Sequence, residues 1–252
     1  MEKINFIIGS NGNIGKSLVK YELQSNDKQI IGIDKLESDI NHSKYWHWKC
    51  DCIFPEKIES KLSTLFKKRN FKVKNLVLCA VMDSVPSSSK KDNYDYGLSN
   101  QEFAQINKRV LVNITSQMYI LKIFEPYLYS ESSVCLFSSI YGVKSPDQRI
   151  YEENFTKPLE YSASKSSILG MTKHFAITSA LSNKGRCNCI VLGGMENDNQ
   201  TDIFKKNYLK KVPLGRMANI NDVLNAYKFI SAKESSYITG SSIIVDGGYT
   251  SW

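Results

Sequence analysis

Tyr161 and Lys165, in "YSASK", lie four residues apart, one turn of a helix, so a phenol and an ammonium share a face there. A tyrosine titrates near about 10, and a cation beside it favours the phenolate and draws that value toward neutrality. The expected product is a proton donor and acceptor usable at cellular pH. Ser139, in "FSSIYG", precedes Tyr161 by 22 residues and ends an apolar run. Taken singly, a serine ending a strand is usually a turn or cap residue.

The surrounding elements must bring these groups together. "KINFIIG", "QIIGID", "YWHWKC", "NLVLCAV", "SSVCLFSS", "GRCNCIVLGG" and "SSIIVDGG" have the apolar and β-branched character of strands. Between them, residues 13–25, 55–69, 100–129, 160–181 and 219–232 carry apolar side chains at helical spacing, the second opening on Pro55 and the last on Asn219. Strands alternating with helices predict an α/β fold, a doubly wound parallel sheet with helices on both faces in a single domain. Residues 83–99 form a polar loop in this scheme.

The first strand runs into "GSNGNIGKSL", with Gly9, Gly12 and Gly15 entering a helix and Asn11, Asn13 and Ile14 between them. Glycines let a backbone approach a pyrophosphate, and the helix N-terminus offers N–H groups to it. Asp34 closes the second strand 19 residues past Gly15, where a carboxylate would accept the ribose hydroxyls of a dinucleotide and repel a 2′-phosphate. NAD is therefore expected ahead of NADP, although Lys35 follows directly.

The 252 residues carry a net charge of +8, but their lysines are scattered among polar residues rather than laid along a helix with aromatics. A nucleic-acid partner is not expected. No apolar run of 18 residues occurs, so no membrane partner is expected, and the N-terminus reads as a strand rather than a signal peptide. Six cysteines without an export signal suggest reduced thiols and a cytoplasmic setting. The pairs Cys50/Cys52 and Cys187/Cys189 sit in or beside strand runs, which favours core packing over zinc; no metal site is expected.

Taken together, the glycine turn, the serine pair and "YSASK" resemble the short-chain dehydrogenase/reductase family, from "IIGSNGNIG" to "YITGSSIIVDGGYT". The resemblance implies a Rossmann-type fold and an NAD(P)-dependent oxidoreductase acting on a secondary alcohol or ketone. It makes Tyr161 the catalytic acid/base, Lys165 the residue that lowers its pKa and holds the nicotinamide ribose, Ser139 the substrate-oxygen contact, and Asn113 the holder of a relay water. It further implies adenine contacts at Asp51 and Cys52, a cofactor contact at Ala80, and a nicotinamide-side loop at Gly194 followed by a lid over about 195–212. Homo-oligomers, tetramer or dimer, are implied too, built from the helices at 100–129 and after Tyr161 and from the last strand.

The chain departs from the family at Leu78–Val81 and at Leu192, where Asn-Asn-Ala-Gly and a proline are usual. An NAD-binding subunit or sensor without turnover is the competing expectation. The segment at about 141–160 is longer than usual and resembles a subgroup linked to bacterial surface-sugar and nonulosonic acid biosynthesis, including flagellin glycosylation. That subgroup also shares Asn199 and Gln200, while its usual arginine is replaced by Asp83. A small-molecule sugar derivative is the implied substrate, with Arg149, Tyr151 and Lys157 as candidate contacts.

Overall fold

The computed structural model describes residues 1–25, 28–83, 97–152, 155–198 and 200–252. Most of the loop over 83–99, part of the segment before Tyr161, and Asn199 lie outside the described residues.

Seven strands form one parallel sheet in the order β3-β2-β1-β4-β5-β6-β7. They are β1 (Glu2–Ile8), β2 (Gln29–Asp34), β3 (Tyr45–Lys49), β4 (Phe71–Leu78), β5 (Ser133–Ser139), β6 (Arg186–Leu192) and β7 (Ser242–Val245). Alternation along β1 sends its side chains to two separate cores. Ile4, Phe6 and Ile8 point to the face covered by α2 (Pro55–Lys68), α4 (Ser116–Phe124) and α5 (Leu159–Leu181). Ile7 points to the face covered by α1 (Asn13–Ser25) and α7 (Ile220–Ser231). Fully buried Phe6, Phe124 and Leu62 on one side, and Leu18 and Ile230 on the other, each contribute about 1.5–3 kcal/mol.

β2 leaves β1 on one side and β4 joins it on the other, so the strand order reverses at β1. In parallel sheets the crevice outside the strand C-termini at such a reversal is where ligands bind. The glycine turn after β1 and the loop after β4 both open there.

The long helix expected over 100–129 is not continuous. It is α3 (Phe103–Val110), a π-helical stretch at Leu111–Thr115, then α4, with 3₁₀ turns before and after. An extra residue in a helical turn is held locally, here by a tertiary contact of Asn113 described below. α6 (Asp202–Leu209) fills the segment after β6, capped by Thr201, whose hydroxyl accepts from the Phe204 N–H. Cys187 and Cys189 are fully buried in β6 and Cys50 nearly so, packed in the core as their strand positions suggested.

Candidate active site

The glycine turn is shaped by two residues that admit no side chain. Gly9 has φ +85°, and a Cβ there would sit 2.6 Å from the Ala80 nitrogen. A Cβ on Gly15 would lie 2.0 Å from the Gly9 carbonyl, so α1 can begin against the turn only with glycine at this point. Gly12 is more open, its nearest atom 3.4 Å from a built Cβ. Asp34 faces this turn: one carboxylate oxygen accepts from the Asn11 N–H at 3.0 Å and the other from Leu36 N–H at 3.0 Å. The Asn11 side chain donates to the Leu36 and Glu37 carbonyls, joining the turn to the loop after β2.

These residues fit a dinucleotide. Among the described residues the buried Ser10 hydroxyl and the Asn11 side-chain oxygen have no hydrogen-bond partner, at the turn where phosphates or sugar hydroxyls would supply one. Asp51 caps its own turn through the Ile53 N–H, and Cys52 follows, half-buried, its thiol pushed up to about 11 by burial. Ala80 accepts from the Gln117 side chain at 3.2 Å.

A cleft of about 250 Å³ at the C-terminal ends of β4, β5 and β6 gathers Asn13, Ile14, Ser139, Tyr161, Lys165 and Gly194 into one lining. The remaining nucleotide-side residues, from Gly9 to Ala80, lie outside that lining. Two contacts hold β5 and α5 in register: Ser138 donates to the Lys165 carbonyl at 2.7 Å, and Lys165 Nζ donates to the Phe137 carbonyl at 3.0 Å. Ser139 accepts from the Tyr141 N–H at 3.2 Å and lines the cleft together with Tyr161.

Two of the expected site residues have surroundings of their own. The first, Tyr161, is 8% exposed, and burial pushes its phenol well above the ordinary value, with the Asp83 carboxylate adding to the rise and Ser139 opposing it. Lys165 does face the ring, Nζ 5.7 Å from its centroid, but burial lowers its own pKa. Burial is thus the largest influence on the phenol, and on the ammonium as well. The second is Asn113, which does not line the cleft. Its side chain clamps Met82, accepting from the Met82 N–H at 2.7 Å and donating to the Met82 carbonyl at 2.9 Å. Both ends of the amide are so engaged, and its contact toward α5 is a long 3.5 Å to Ser164. These contacts tie Asn113 to the loop after β4.

Of the three substrate-contact candidates, Tyr151 and Lys157 line the cleft and Arg149 does not. The Arg149 side chain is 85% exposed and pairs with Asp147. Tyr151 shares a 2.8 Å hydrogen bond with Tyr141 and stacks on Phe204 of α6, and Tyr208 also faces the cleft. Gln200 ties the loop before α6, donating to the Met195 carbonyl.

Sequence reasoning passed over what surrounds Lys157. Its ammonium is 2.6 Å from Asp83 Oδ1 and 4.0 Å from the Tyr161 ring centroid. It also passed over the buried Arg109–Glu160 pair, which joins α3 to the first turn of α5 beside Tyr161. The signal for either in the sequence is charge alone, and no local spacing marks it.

A family model described as enoyl-(acyl carrier protein) reductase matches residues 34–250. A 3-oxoacyl-[acyl-carrier-protein] reductase, FabG, of Buchnera aphidicola is 26% identical over 98% of this chain and 97% of that protein. Post-translational flagellin modification protein A of Campylobacter coli is likewise 26% identical, over 98% of each chain. A short chain dehydrogenase of Leptospira borgpetersenii solved with bound NAD+ superposes with a TM-score of 0.84 at 27% identity, covering 99% of this chain and 93% of that one.

Proposed function

The chain belongs to the short-chain dehydrogenase/reductase family, and from that membership we propose that it is a nicotinamide-dependent oxidoreductase interconverting a secondary alcohol and a ketone. The observation that carries the proposal is the meeting of Ser139, Tyr161 and Lys165 in one cleft beside Asn13, Ile14 and Gly194. The glycine turn at Gly9, Gly12 and Gly15 would hold the dinucleotide phosphates. Asp34 would hold the adenosine ribose and favour NAD over NADP, with Asp51, Cys52 and Ala80 along the adenine side. When bound, the nicotinamide gives or takes the hydride. Ser139 orients the substrate oxygen, Tyr161 moves its proton, and Lys165 contributes positive charge near both.

For the substrate, a neutral sugar derivative is the reading best supported. Tyr141, Tyr151 and Tyr208 bring hydroxyls and ring faces to the cleft, and the Lys157 charge is balanced by Asp83, which leaves little net attraction for a phosphate. The flagellin modification relative is consistent with a surface-glycan role. The acyl-carrier reductase relative favours a second reading, a 3-oxoacyl thioester. Residues 195–212, with α6, form the substrate lid in this proposal, and the segment at 141–160 forms its facing wall. Association of copies through the α4–α5 face completes it.

NADH and NADPH fluorescence titrations followed by oxidation with a panel of neutral ketosugars, ketosugar phosphates and acetoacetyl-CoA test these points together. The expected outcome is tighter binding of NADH and turnover with a neutral ketosugar. Acetoacetyl-CoA as the preferred substrate would replace the sugar reading, and NADH binding without any turnover would favour a cofactor-binding subunit or sensor.

A further inference from the structure

Gly193 and Gly194 follow β6 and form the loop that flanks the nicotinamide in the reading above. Two glycines in a row have more backbone freedom to lose than any other pair, so a fixed loop there needs outside support. Neighbouring backbone supplies part of it. The Gly193 N–H donates to the Val245 carbonyl at 2.9 Å, and the Ala218 N–H donates to the Gly194 carbonyl at 3.0 Å. The remaining donor, the Gly194 N–H, goes to the Tyr208 hydroxyl of α6 at 2.5 Å.

The Tyr208 ring also fills the room that the glycines leave. A Cβ built on Gly194 would lie 2.7 Å from Tyr208 Cζ, and one on Gly193 would lie 3.1 Å from the Tyr208 hydroxyl. Packing holds the tyrosine in this place. It is 2% exposed and stacks on Tyr249 of the C-terminal segment with ring centroids 5.0 Å apart, while Phe204, one turn earlier, stacks on Tyr151. Beyond the helix, Lys211 pairs with Asp147 at 2.7 Å. The phenol oxygen is thus a fixed acceptor, and the loop is pinned to it.

We propose that Tyr208 is a positioning residue for the nicotinamide half of the cofactor, holding the loop at Gly193 and Gly194 in its binding shape before the dinucleotide arrives. This rests on the oxidoreductase reading above. Binding against a loose loop costs the entropy of ordering it, and a loop ordered in advance removes that cost. The adenosine and phosphate half is held elsewhere, by the glycine turn and by Asp34, and makes no use of Tyr208. The role is placement, with no proton or hydride passing through the Tyr208 oxygen.

The test compares NADH with ADP-ribose, which has the same nucleotide half and no nicotinamide, by calorimetric titration of the full chain. Tyr208→Phe keeps the ring and its stack on Tyr249 and removes the acceptor. It should weaken NADH about fivefold or more, the effect of one hydrogen bond, and leave ADP-ribose within about twofold. Gly194→Ala, whose methyl would push ring and loop apart, should give the same split. If that methyl prevents folding, the volume-conserving Tyr208→Phe decides. A general loosening of the fold does not single out the nicotinamide. Tyr208→Phe that weakens ADP-ribose as much as NADH, or weakens neither, therefore overturns the proposal. Failure of the unaltered chain to bind either ligand overturns the oxidoreductase reading and this proposal with it, whereas NADH binding without the split overturns this proposal alone.

Discussion

Tyr161 is buried to 8% exposure in the cleft that Ser139 and Lys165 also line, so removing its hydroxyl touches the chemistry without touching the glycine turn. Tyr161→Phe is expected to reduce turnover by about 10²–10⁴-fold, the usual worth of a positioned proton donor. NADH affinity should stay close to that of the unaltered protein, because the nucleotide-side residues lie at the ends of β1, β2 and β3. A stopped assay for turnover and a fluorescence titration for binding check the two halves. Equal loss of both would mean that Tyr161 holds the cofactor and does no proton transfer. At this scale the sequence disclosed residue types and order well. Ser139, Tyr161 and Lys165 do share a cleft. It did not disclose the sign of the Tyr161 shift, because spacing along a helix reports one cation and is silent on desolvation and on Asp83, 78 positions away in sequence.

α7 shows how an element holds its place on the sheet. The Asn219 side chain accepts from the Asn221 and Asp222 N–H groups, and the Asp222 carboxylate accepts from the Asn219 N–H at 2.8 Å, a complete capping box. Arg216 grips the same carboxylate with two nitrogens and holds it below its ordinary pKa. Asn219→Ala should therefore cost about 1 kcal/mol, read as a lower urea midpoint with an unchanged slope. No change in the midpoint would mean that water satisfies the helix end as well as Asn219 does. This cap was legible in "NINDV", since capping chemistry is local. The π-helical stretch at Leu111–Thr115 was not, because "LVNIT" has ordinary helical periodicity and only the clamp of Asn113 on Met82 distinguishes it. β4 likewise begins at Phe71, earlier than its apolar run, because Lys72 and Lys74 alternate with Phe71 and Val73 before the strand becomes buried on both faces. Elements covered on two sides announce themselves; those shaped by one distant contact do not.

For the whole molecule, the proposed association of copies has a physical basis in the face shared by α4 and α5. Met118 is half exposed there, beside Leu121, Met171 and Phe175, and a Cβ built on Gly170 meets nothing within 4 Å. α5 is also the helix that begins with Tyr161 and Lys165, so a partner seated on its middle turns would brace the reacting end. Each chain carries a net charge of +8, which repels a second copy, so apolar contact must supply the attraction. Salt screens the repulsion and leaves the apolar term in place. Sedimentation equilibrium should accordingly give a mass that is a multiple of 28.6 kDa and an association that strengthens as salt is raised. Phe175→Glu would place a carboxylate in the desolvated contact, at a cost of several kcal/mol, and should shift the protein toward single chains. A single-chain mass for the unaltered protein at every concentration, or an association that weakens with salt and ignores Phe175→Glu, would move the contact off this face and leave α5 to hold Tyr161 by its own packing on β5 and β6.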